Sequence, residues 1–375
     1  MTCLKNRIKV LVPRLTLLGK RAFKIIDGHI KYSIMKKLFF TAFTIVISVS
    51  CKFSKLPPIA PNVITERTIN DTDDPAIWIN PADSSKSIVF GTDKESNGAI
   101  YAFDLEGKII EDKSLKNMKR PNNVDVAYGL KLNDSTRVDI LVFTEREKSQ
   151  IRVFSVPDME PLDGGGILVF TEETDPELKL PMGVSLYRSP KDSTIYAIVG
   201  RKTGPLDNYL EQYKLSAGNR GNVKAELVRK FGKFSGKKEI EAIAVDHELG
   251  FIYYSDEQHC IRKYYAEPTM GNDEISCFGT DYFKSDIEGI AIARYDNGEG
   301  YLIVSDQQKG QFNIFSRTTN QFIKAVNLST RETDGCEVVT VPLNSTFKNG
   351  LFVAMNDERN FYLYDLEKLG LDNAN

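Results

Sequence analysis

The chain has 375 residues, enough for one large all-β domain or two ordinary ones. Its formal charge is −2, but the first fifty residues hold ten of the 49 Lys and Arg and only one of the 51 Asp and Glu, so the remainder carries −11. That balance excludes the basic surface of a nucleic-acid-binding domain. An acidic domain suits cation binding, although a merely solvated acidic surface would account for the same charge.

The segment 35–50, MKKLFFTAFTIVISVS, has the parts of a signal peptide. Lys36 and Lys37 form its positive region, and the apolar run Leu38–Val49 follows. That run is too short to predict a comfortable transmembrane helix. Cys51, directly after it, is typical of a bacterial lipoprotein whose first mature residue is a lipidated Cys. A simple signal peptide with an incidental Cys is the alternative.

The signal peptide sets the predicted domain organisation. Residues 1–34 are predicted to be an over-called N-terminal extension upstream of Met35, and 51–62 a Pro-containing tether. Residues 63–375 are predicted to form one domain. We expect an exported protein of the cell envelope that meets the membrane only through a lipid on Cys51, or a secreted protein if Cys51 is not lipidated.

One stretch organises the rest of the chain. Residues 239–257, EIEAIAVDHELGFIYYSDE, return at 286–307 as DIEGIAIARYDNGEGYLIVSDQ. Each copy has an acid followed by Ile-Glu, an apolar strand, a polar turn and a second apolar strand ending in Ser-Asp, with a spacing of 47 residues. Looser copies begin at Asp74, Asn123, Met182 and Thr333. Repeats of this length with several strands each predict a β-propeller.

A third strand follows each copy. These strands begin at positions 100, 151, 210, 261, 312 and 361, at intervals of 51, 59, 51, 51 and 49 residues, and their aromatic residues suit a half-buried pleated surface. Segments 107–110, 227–231 and 322–326 are predicted fourth, outer strands. We therefore predict an all-β, six-bladed β-propeller with about four antiparallel strands per blade. A stack of β-sandwiches is the alternative, which the regular period disfavours.

Cysteine and histidine usage excludes several chemistries. Cys260, Cys277 and Cys336 show no metal-type spacing, and the sequence allows either a disulfide between the first two or two separate buried thiols. The histidines are His29, His247 and His259. The chain carries no histidine-phosphatase motif, zinc cluster or nucleophile elbow. Any hydrolysis would therefore be metal-assisted, with water as the nucleophile.

Polar residues at equivalent places in different blades become neighbours near a propeller axis. The blade starts supply the carboxylates Asp73, Asp74, Asp125, Glu241, Glu288 and Asp334. The ends of the second strands supply the bases Lys94, Arg146, Arg201 and Lys202 and the acids Asp256 and Glu257. Carboxylates this dense cannot all stay ionised and unpaired, and hard cations such as calcium would neutralise them. The bases would then bind an anion such as phosphate. Acids that only cap turns are the structural alternative.

Six motifs carry a family resemblance, in order: DDPAIW (73–78), NNVDV (122–126), EQYKL (211–215), DIEG (286–289), GYLIVSDQ (300–307) and ETDG (332–335). With them the chain resembles the β-propeller phytases from about residue 62 to the C-terminus. That resemblance implies a calcium-dependent, 3-phytase-like phosphomonoesterase that converts phytate (myo-inositol hexakisphosphate) to lower inositol phosphates. We expect a monomer that binds this small molecule and no nucleic acid.

The resemblance also implies residue roles. Several calcium ions would be held by Asp74, Glu241, Asp256, Glu257, Glu288 and Asp334 and by the backbone carbonyls of Pro75 and Val124. Phosphate would be bound by Lys94, Arg146 and Lys202. Blade register, and not the resemblance, adds Arg201 as a further substrate contact. In the mechanism that the resemblance implies, a metal-activated water attacks the phosphate, Glu241 helps to remove its proton, and the bases stabilise the transition state.

Three positions depart from familiar members of that family. Glu95 stands where a second Lys is usual, Met182 where a substrate-contacting Tyr is usual, and Thr203 where a Glu is common. These changes affect a second phosphate site more than the calcium cluster, and the insertion at 202–212 could rebuild that site. The alternatives are another calcium-dependent propeller hydrolase, of lactonase or phosphotriesterase type, and a non-catalytic surface-binding propeller.

Overall fold

A computed structural model describes residues 56–284 and 286–371 of the chain. They belong to one of two compact units, Phe53–Asn375. The predicted extension, signal peptide and Cys51 lie outside the described residues, as does part of the tether. In the described part, no helix has the length and apolar character needed to cross a membrane.

The described strands form six antiparallel sheets of four strands each, which confirms the predicted six-bladed propeller. Blades 1 to 3 are β2–β5 (Thr72–Trp78, Ile88–Asp93, Gly98–Phe103, Leu115–Met118), β6–β9 (Pro121–Lys131, Arg137–Glu145, Gln150–Val156, Ile167–Leu168) and β10–β13 (Pro181–Arg188, Ile195–Arg201, Asp207–Ala217, Val223–Lys233). Blades 4 to 6 are β14–β17 (Ile243–Asp246, Phe251–Asp256, Cys260–Tyr265, Ser276–Phe278), β18–β21 (Ile287–Arg294, Gly300–Asp306, Gln311–Ser316, Phe322–Val326) and β22–β24 (Cys336–Val339, Leu351–Asn356, Asn360–Asp365) with β1 (Val63–Ile64).

Helical structure in the described part is limited to short 3-10 turns. They span Ser84–Lys86, Glu111–Lys113, Arg146–Lys148, Pro176–Lys179, Asn219–Gly221, Pro268–Met270, Asp296–Gly298, Gln307–Lys309 and Leu366–Leu369.

The ring is closed by a strand from the N-terminal side of the domain. β1 pairs with β24, with Val63 opposite Leu363. Two flanking hydrogen bonds extend the contact, because Asn62 N donates to Leu363 O at 2.8 Å and Thr65 N donates to Phe361 O at 3.0 Å. Blade 6 therefore contains the first and the last described strands, and their pairing closes the ring.

One of the predicted outer strands is wrong. Segment 322–326 is β21 and 227–231 lies within β13, but 107–110 forms only a single bridge, between Ile109 and Phe103. Oδ1 of Asp104 accepts hydrogen bonds from the backbone N–H groups of Glu106 and Lys108, at 3.0 and 2.8 Å, and so closes a tight turn there. The outer strand of blade 1 is β5, further along the chain.

The apolar core lies between neighbouring blades. Val142 of blade 2 and Val184 of blade 3, for example, belong to one buried cluster, and Ala244 of blade 4 and Ile292 of blade 5 belong to another. Each blade packs its inward-facing branched and aromatic residues against the next blade. This packing fixes the position of every blade start relative to its neighbours.

The innermost strands of four blades share a β-bulge near their first residues. The pairing register shifts between Thr72 and Pro75, and equivalent shifts occur at the starts of β6, β10 and β18. A bulge takes residues out of the regular ladder and redirects their side chains. The bulged segments contain Asp73, Asp74 and Glu288, so these three carboxylates of the blade starts occupy redirected positions.

Glycines beside those carboxylates let the inner strands approach one another. A Cβ on Gly183 would collide with the carbonyl oxygen of Glu241 in the next blade. A Cβ on Gly335 would collide with Asp74 across the closure from blade 6 to blade 1. A side chain at either position would push apart the blade starts that carry the acids.

Blade 4 contains a disulfide between Cys260 and Cys277, with Cα atoms 5.7 Å apart, which joins β16 to the outer strand β17. Of the two arrangements that the sequence allowed, the structure has the bonded one. Cys336 is a buried free thiol.

Arg317, directly after β20, links blades 4 and 5 through buried charges. Its guanidinium donates to both carboxylate oxygens of Asp246, each at 2.6 Å, and to Glu248 at 2.8 Å. Arg317 and Asp246 are both fully buried. A bidentate pair in this setting stabilises the fold only while both partners are present.

We expect Arg317→Ala to destabilise the protein by about 3–5 kcal/mol, because Asp246 would be left as an unpaired buried charge. Chemical denaturation measures the change. The matched control is Arg67→Ala, which removes an exposed pair with Glu358 and should cost no more than about 1 kcal/mol. Equal losses for the two variants would contradict the structural role of Arg317.

Candidate active site

Charged side chains from the blade starts and from the ends of the second strands meet in one network, here called the mouth cluster. Its members are Asp73, Lys94, Arg146, Lys202, Lys238, Glu239, Glu241, Glu257, Asp286, Glu288 and Asp334. The predicted site residues Lys94, Arg146, Lys202, Glu241, Glu257, Glu288 and Asp334 are thus brought together.

Lys94 links blades 1 and 6, and Asn122 extends the network to blades 2 and 4. Its Nζ lies 3.3 Å from Oδ1 of Asp73 and also pairs with Asp334. Nδ2 of Asn122 donates to Asp73 at 2.8 Å and to Oε1 of Glu241 at 3.1 Å. Burial lowers the pKa of Lys94, but the carboxylates around it outweigh that effect and raise its pKa above the ordinary value, so the ammonium stays charged.

Lys238 connects blades 4 and 5 in a similar way. Its Nζ lies 2.6 Å from Oε2 of Glu257, 2.9 Å from Oδ2 of Asp286 and 3.5 Å from Oε1 of Glu288. Glu257 is 0% and Glu288 2% exposed. Among the described residues, Oε1 of Glu257 and Oε2 of Glu288 find no hydrogen-bond donor.

The mouth cluster has too little positive charge for its buried acids. Burial raises the pKa of Glu257 to about 8, although Lys238 opposes the shift. Burial together with the charges of Glu241 and Glu257 raises the pKa of Glu288 well above its ordinary value. Burial also raises the pKa of Asp73 and of Glu241 against the attraction of Lys94. At neutral pH the ionised form of these groups needs further cations.

The arrangement fits divalent cations. Oxygen atoms of Glu239, Glu241 and Glu257 lie within 4.8 Å of one another, and so do those of Glu257, Asp286 and Glu288. Carboxylate oxygens are the ligands of hard cations such as calcium. The buried oxygens without donors are the independent sign that a charged ligand belongs there.

Cationic side chains border these acids. Arg146 is almost buried, and its Nε has no hydrogen-bond partner in the described part of the chain. Burial lowers the pKa of Arg146, Glu241 opposes this, and the nearby Arg120 adds repulsion. Lys202 pairs with Glu239 while its side chain stays 42% exposed. Acids and bases side by side can hold a cation and an anion together.

Three other predicted metal ligands lie together in the central channel. Asp74, Pro75 and Val124 line a cavity of about 650 Å³, which is also lined by Asp125 and Glu337. Oδ2 of Asp74 accepts a hydrogen bond from Val124 N at 3.1 Å. Burial raises the pKa of Asp74 well above its ordinary value, that of Asp125 to about 6 and that of Glu337 to about 8. The predicted ligands therefore divide into two groups. The mouth group is Glu241, Glu257, Glu288 and Asp334, and the channel group is Asp74, Pro75 and Val124.

Two predicted residues are engaged elsewhere. Asp256 accepts hydrogen bonds from Ser235 N at 2.8 Å, from Ser235 Oγ at 2.7 Å and from Arg262 Nε at 2.9 Å. Arg201 is 1% exposed and donates to Tyr209 O at 2.9 Å and to Glu173 Oε1 at 2.7 Å. Such contacts hold loops in place, so we leave both residues out of the proposed site.

Sequence reasoning missed several members of the site. These are Arg120, Asn122, Lys238, Glu239, Asp286, Glu337 and Gln307, the last of which donates to Asp334. Asn122 and Asp286 open the motifs NNVDV and DIEG, so a signal was available for them. Lys238 lies in the loop between β13 and β14, outside the repeated strands, where blade register gives no signal.

Fold and site together define a β-propeller whose mouth can hold divalent cations beside a phosphate-type anion, as a metal-assisted phosphoryl hydrolase requires. A family model described as phytase matches residues 36–362. The 3-phytase of Bacillus subtilis (strain 168) is 31% identical over 301 residues, which cover 76% of this chain and 74% of that protein. The chain belongs to the phytase family, whose members are phosphoric monoester hydrolases.

One solved structure adds only a distant likeness. The β-propeller domain of Cps50 (Swd1) from Myceliophteria thermophila is 10% identical, with a TM-score of 0.45, over 80% of this chain and 85% of that one. A likeness of this size carries no argument about function.

The raised carboxylate pKa values predict how stability depends on pH. The folded pKa of Glu257, about 8, exceeds its ordinary value of 4.5, so its contribution is present below the ordinary value and is lost as pH rises through about 8. In a chelator, we expect the melting temperature to fall by several degrees between pH 5 and 8. Glu257→Gln, which cannot ionise, should flatten that dependence. A slope that is the same in both proteins would contradict the assignment.

Proposed function

We propose that this chain removes phosphate from phytate and that it depends on calcium. One observation carries the proposal. Buried carboxylates, of which Glu257 and Glu288 have oxygens without a donor among the described residues, share one charged network with the cationic groups of Lys94, Arg146 and Lys202. The name of the Bacillus relative, 3-phytase, gives the substrate class.

The donor set supports calcium over other metals. The mouth cluster would supply carboxylate oxygens from Glu239, Glu241, Glu257, Asp286 and Glu288. In the channel, Asp74 and the carbonyls of Pro75 and Val124 would supply oxygen atoms as well. Calcium takes six to eight such oxygens in irregular arrangements, whereas zinc prefers nitrogen and sulfur. When bound, calcium would offset charge on phosphoryl oxygens and make a water molecule more acidic.

The bases of the site bind and orient the phosphate. Arg146 presents a planar guanidinium that suits two phosphate oxygens, and Lys94 and Lys202 act as point charges. Lys94 is held in place by Asp73 and Asp334, so its ammonium requires little reordering when substrate arrives. These donors stabilise the charge that spreads over the phosphoryl oxygens in the transition state.

Glu241 is the proton acceptor in this proposal. Its carboxylate is nearly buried, and burial raises its pKa above the ordinary value, which is the direction that strengthens a carboxylate as a general base. Nδ2 of Asn122 fixes the position of Oε1, which leaves the other oxygen to accept a proton from the attacking water. The new P–O bond to the water oxygen forms as the P–O bond to the inositol oxygen breaks, Glu241 takes the proton from water, and the leaving inositol oxygen takes up a proton.

The site departs from the expected pattern near a second phosphate. Met182 is 3% exposed, and its carbonyl oxygen accepts a hydrogen bond from Thr144 Oγ1 at 2.7 Å. A buried thioether offers no hydroxyl to substrate. We therefore propose that positions 95 and 182 loosen the grip on a second phosphate.

The first test is phosphate release from phytate by the purified protein, in calcium and in a chelator. We expect release that requires calcium and stops when the chelator is added. The substrate series should include inositol phosphates with fewer phosphate groups. Absence of release at every calcium concentration would refute the proposal.

Substitutions test the site itself. We expect Glu241→Gln and Lys202→Met each to lower kcat/KM for phytate by about 10²- to 10⁴-fold, the usual range for a lost proton acceptor or charge stabiliser. The control is Glu358→Gln, a surface carboxylate that pairs with Arg67. All variants should still melt cooperatively. A near-normal rate for either site variant would show that the roles are misassigned.

We also propose that the mature protein carries a lipid on Cys51. The position of this Cys directly after the apolar run supports the proposal. Cells grown with a palmitate analogue should label the wild-type protein but not Cys51→Ser. Label on the Cys51→Ser protein would refute lipidation at that position.

A further inference from the structure

The ammonium group of Lys238 lies close to three carboxylates, more than a solvent-exposed lysine usually contacts. It lies in the loop between β13 and β14, yet its Nζ reaches Glu257 at 2.6 Å, Asp286 at 2.9 Å and Glu288 at 3.5 Å. These acids come from the end of β15 and the start of β18, so two blades share this one ammonium. Neither the family resemblance nor the blade register selects Lys238.

The ammonium lies within a group of oxygens that also suits a divalent cation. Glu257, Asp286 and Glu288 are the carboxylates whose oxygens lie within 4.8 Å of one another. One ammonium supplies a single positive charge to three acids. Oε1 of Glu257 and Oε2 of Glu288 remain buried without a donor among the described residues. Lys238 therefore only partly satisfies the group.

An ammonium at these distances excludes a second cation from the same oxygens. Two positive charges a few ångströms apart in a partly buried site repel each other strongly. The side chain of Lys238 is 33% exposed and has a flexible four-carbon stem, so it has a route into solvent.

We propose that Lys238 is a built-in counter-cation that occupies a divalent-cation position in the metal-free protein and is displaced when the metal binds. The proposal rests on the proposed function, since calcium is the metal expected there. Lys238 then has two opposite effects. It stabilises the metal-free protein by reducing repulsion among the three acids, and it weakens calcium binding because it competes for the same oxygens.

Lys238 is proposed to stabilise the metal-free protein and to weaken calcium binding. These two opposite effects distinguish the proposed role from that of a structural ion pair. If Lys238 only held two blades together, its loss would destabilise the protein with and without calcium, and calcium affinity would fall or stay unchanged. A displaced counter-cation stabilises only the metal-free state. Its removal must therefore strengthen calcium binding.

The experiment compares calcium affinity and melting temperature in three variants. Lys238→Met removes the charge and keeps much of the side-chain volume, while Lys238→Arg keeps the charge. The matched control is Lys237→Met, because the neighbouring Lys237 donates to the carbonyl oxygen of Gln258 at 3.0 Å and has no carboxylate partner in the described part of the chain. Calorimetric titration of chelator-stripped protein measures the affinity.

We expect Lys238→Met to bind calcium roughly tenfold more tightly, a change between those typical of exposed and buried ion pairs. Lys238→Arg and Lys237→Met should bind as the wild type does. In a chelator, Lys238→Met should melt several degrees below the wild type, and saturating calcium should remove that difference.

Two outcomes would overturn the inference, and they differ in what else they overturn. If the wild type binds calcium and Lys238→Met binds it equally or more weakly, Lys238 is not a competitor, and the proposed function stands. If the wild type binds no calcium and releases phosphate from phytate equally well in a chelator, the calcium dependence fails together with this inference.

Discussion

The site depends on one electrostatic constraint, which is that more negative charge is buried at the mouth of the ring than the protein's own cations neutralise. Lys94 and Lys238 each serve several carboxylates, and oxygens of Glu257 and Glu288 remain without donors. Burying ionised groups without full compensation is unfavourable. The fold must therefore hold these acids together against their repulsion, and the chemistry of the site follows from the ligands that relieve it.

Closure of the ring supplies that restraint. β1 completes blade 6, so the blade starts cannot move apart without breaking strand pairing between distant parts of the chain. Bulges at the inner strands turn Asp73 and Glu288 out of the ladder, and Gly183 and Gly335 permit the close approach of adjacent blades. Apolar side chains are buried between neighbouring blades, away from the mouth. The free energy of that burial offsets the repulsion among the mouth acids.

The repeat made the blades predictable, because a period of about fifty residues reports directly on the unit that packs. Register alone also placed Glu241, Glu288 and Asp334 near one another. Register did not predict the contacts of an in-register side chain that binds elsewhere, or of residues outside the repeated strands. Asp256 has the right register but is engaged by Ser235 and Arg262. Lys238 comes from an irregular loop, and the turn at Asp104 displaced an outer strand, so only three-dimensional contacts reveal these cases.

The mouth group and the channel group differ in what they can do, although both are acidic. The mouth acids lie beside Lys94, Arg146 and Lys202, so cations there would share their position with an anion. The channel acids Asp74, Asp125 and Glu337 line a cavity between the inner strands, where backbone carbonyls add further oxygens. A cation in the channel would link several blade starts and stabilise the ring, whereas one at the mouth would act on substrate. Blade register places acids at both levels. Arg188 and Arg294 also line the channel cavity, so the presence of bases does not by itself separate the two levels. The mouth differs in the direct ion pairs of its lysines and in the buried oxygens of Glu257 and Glu288 that lack donors among the described residues.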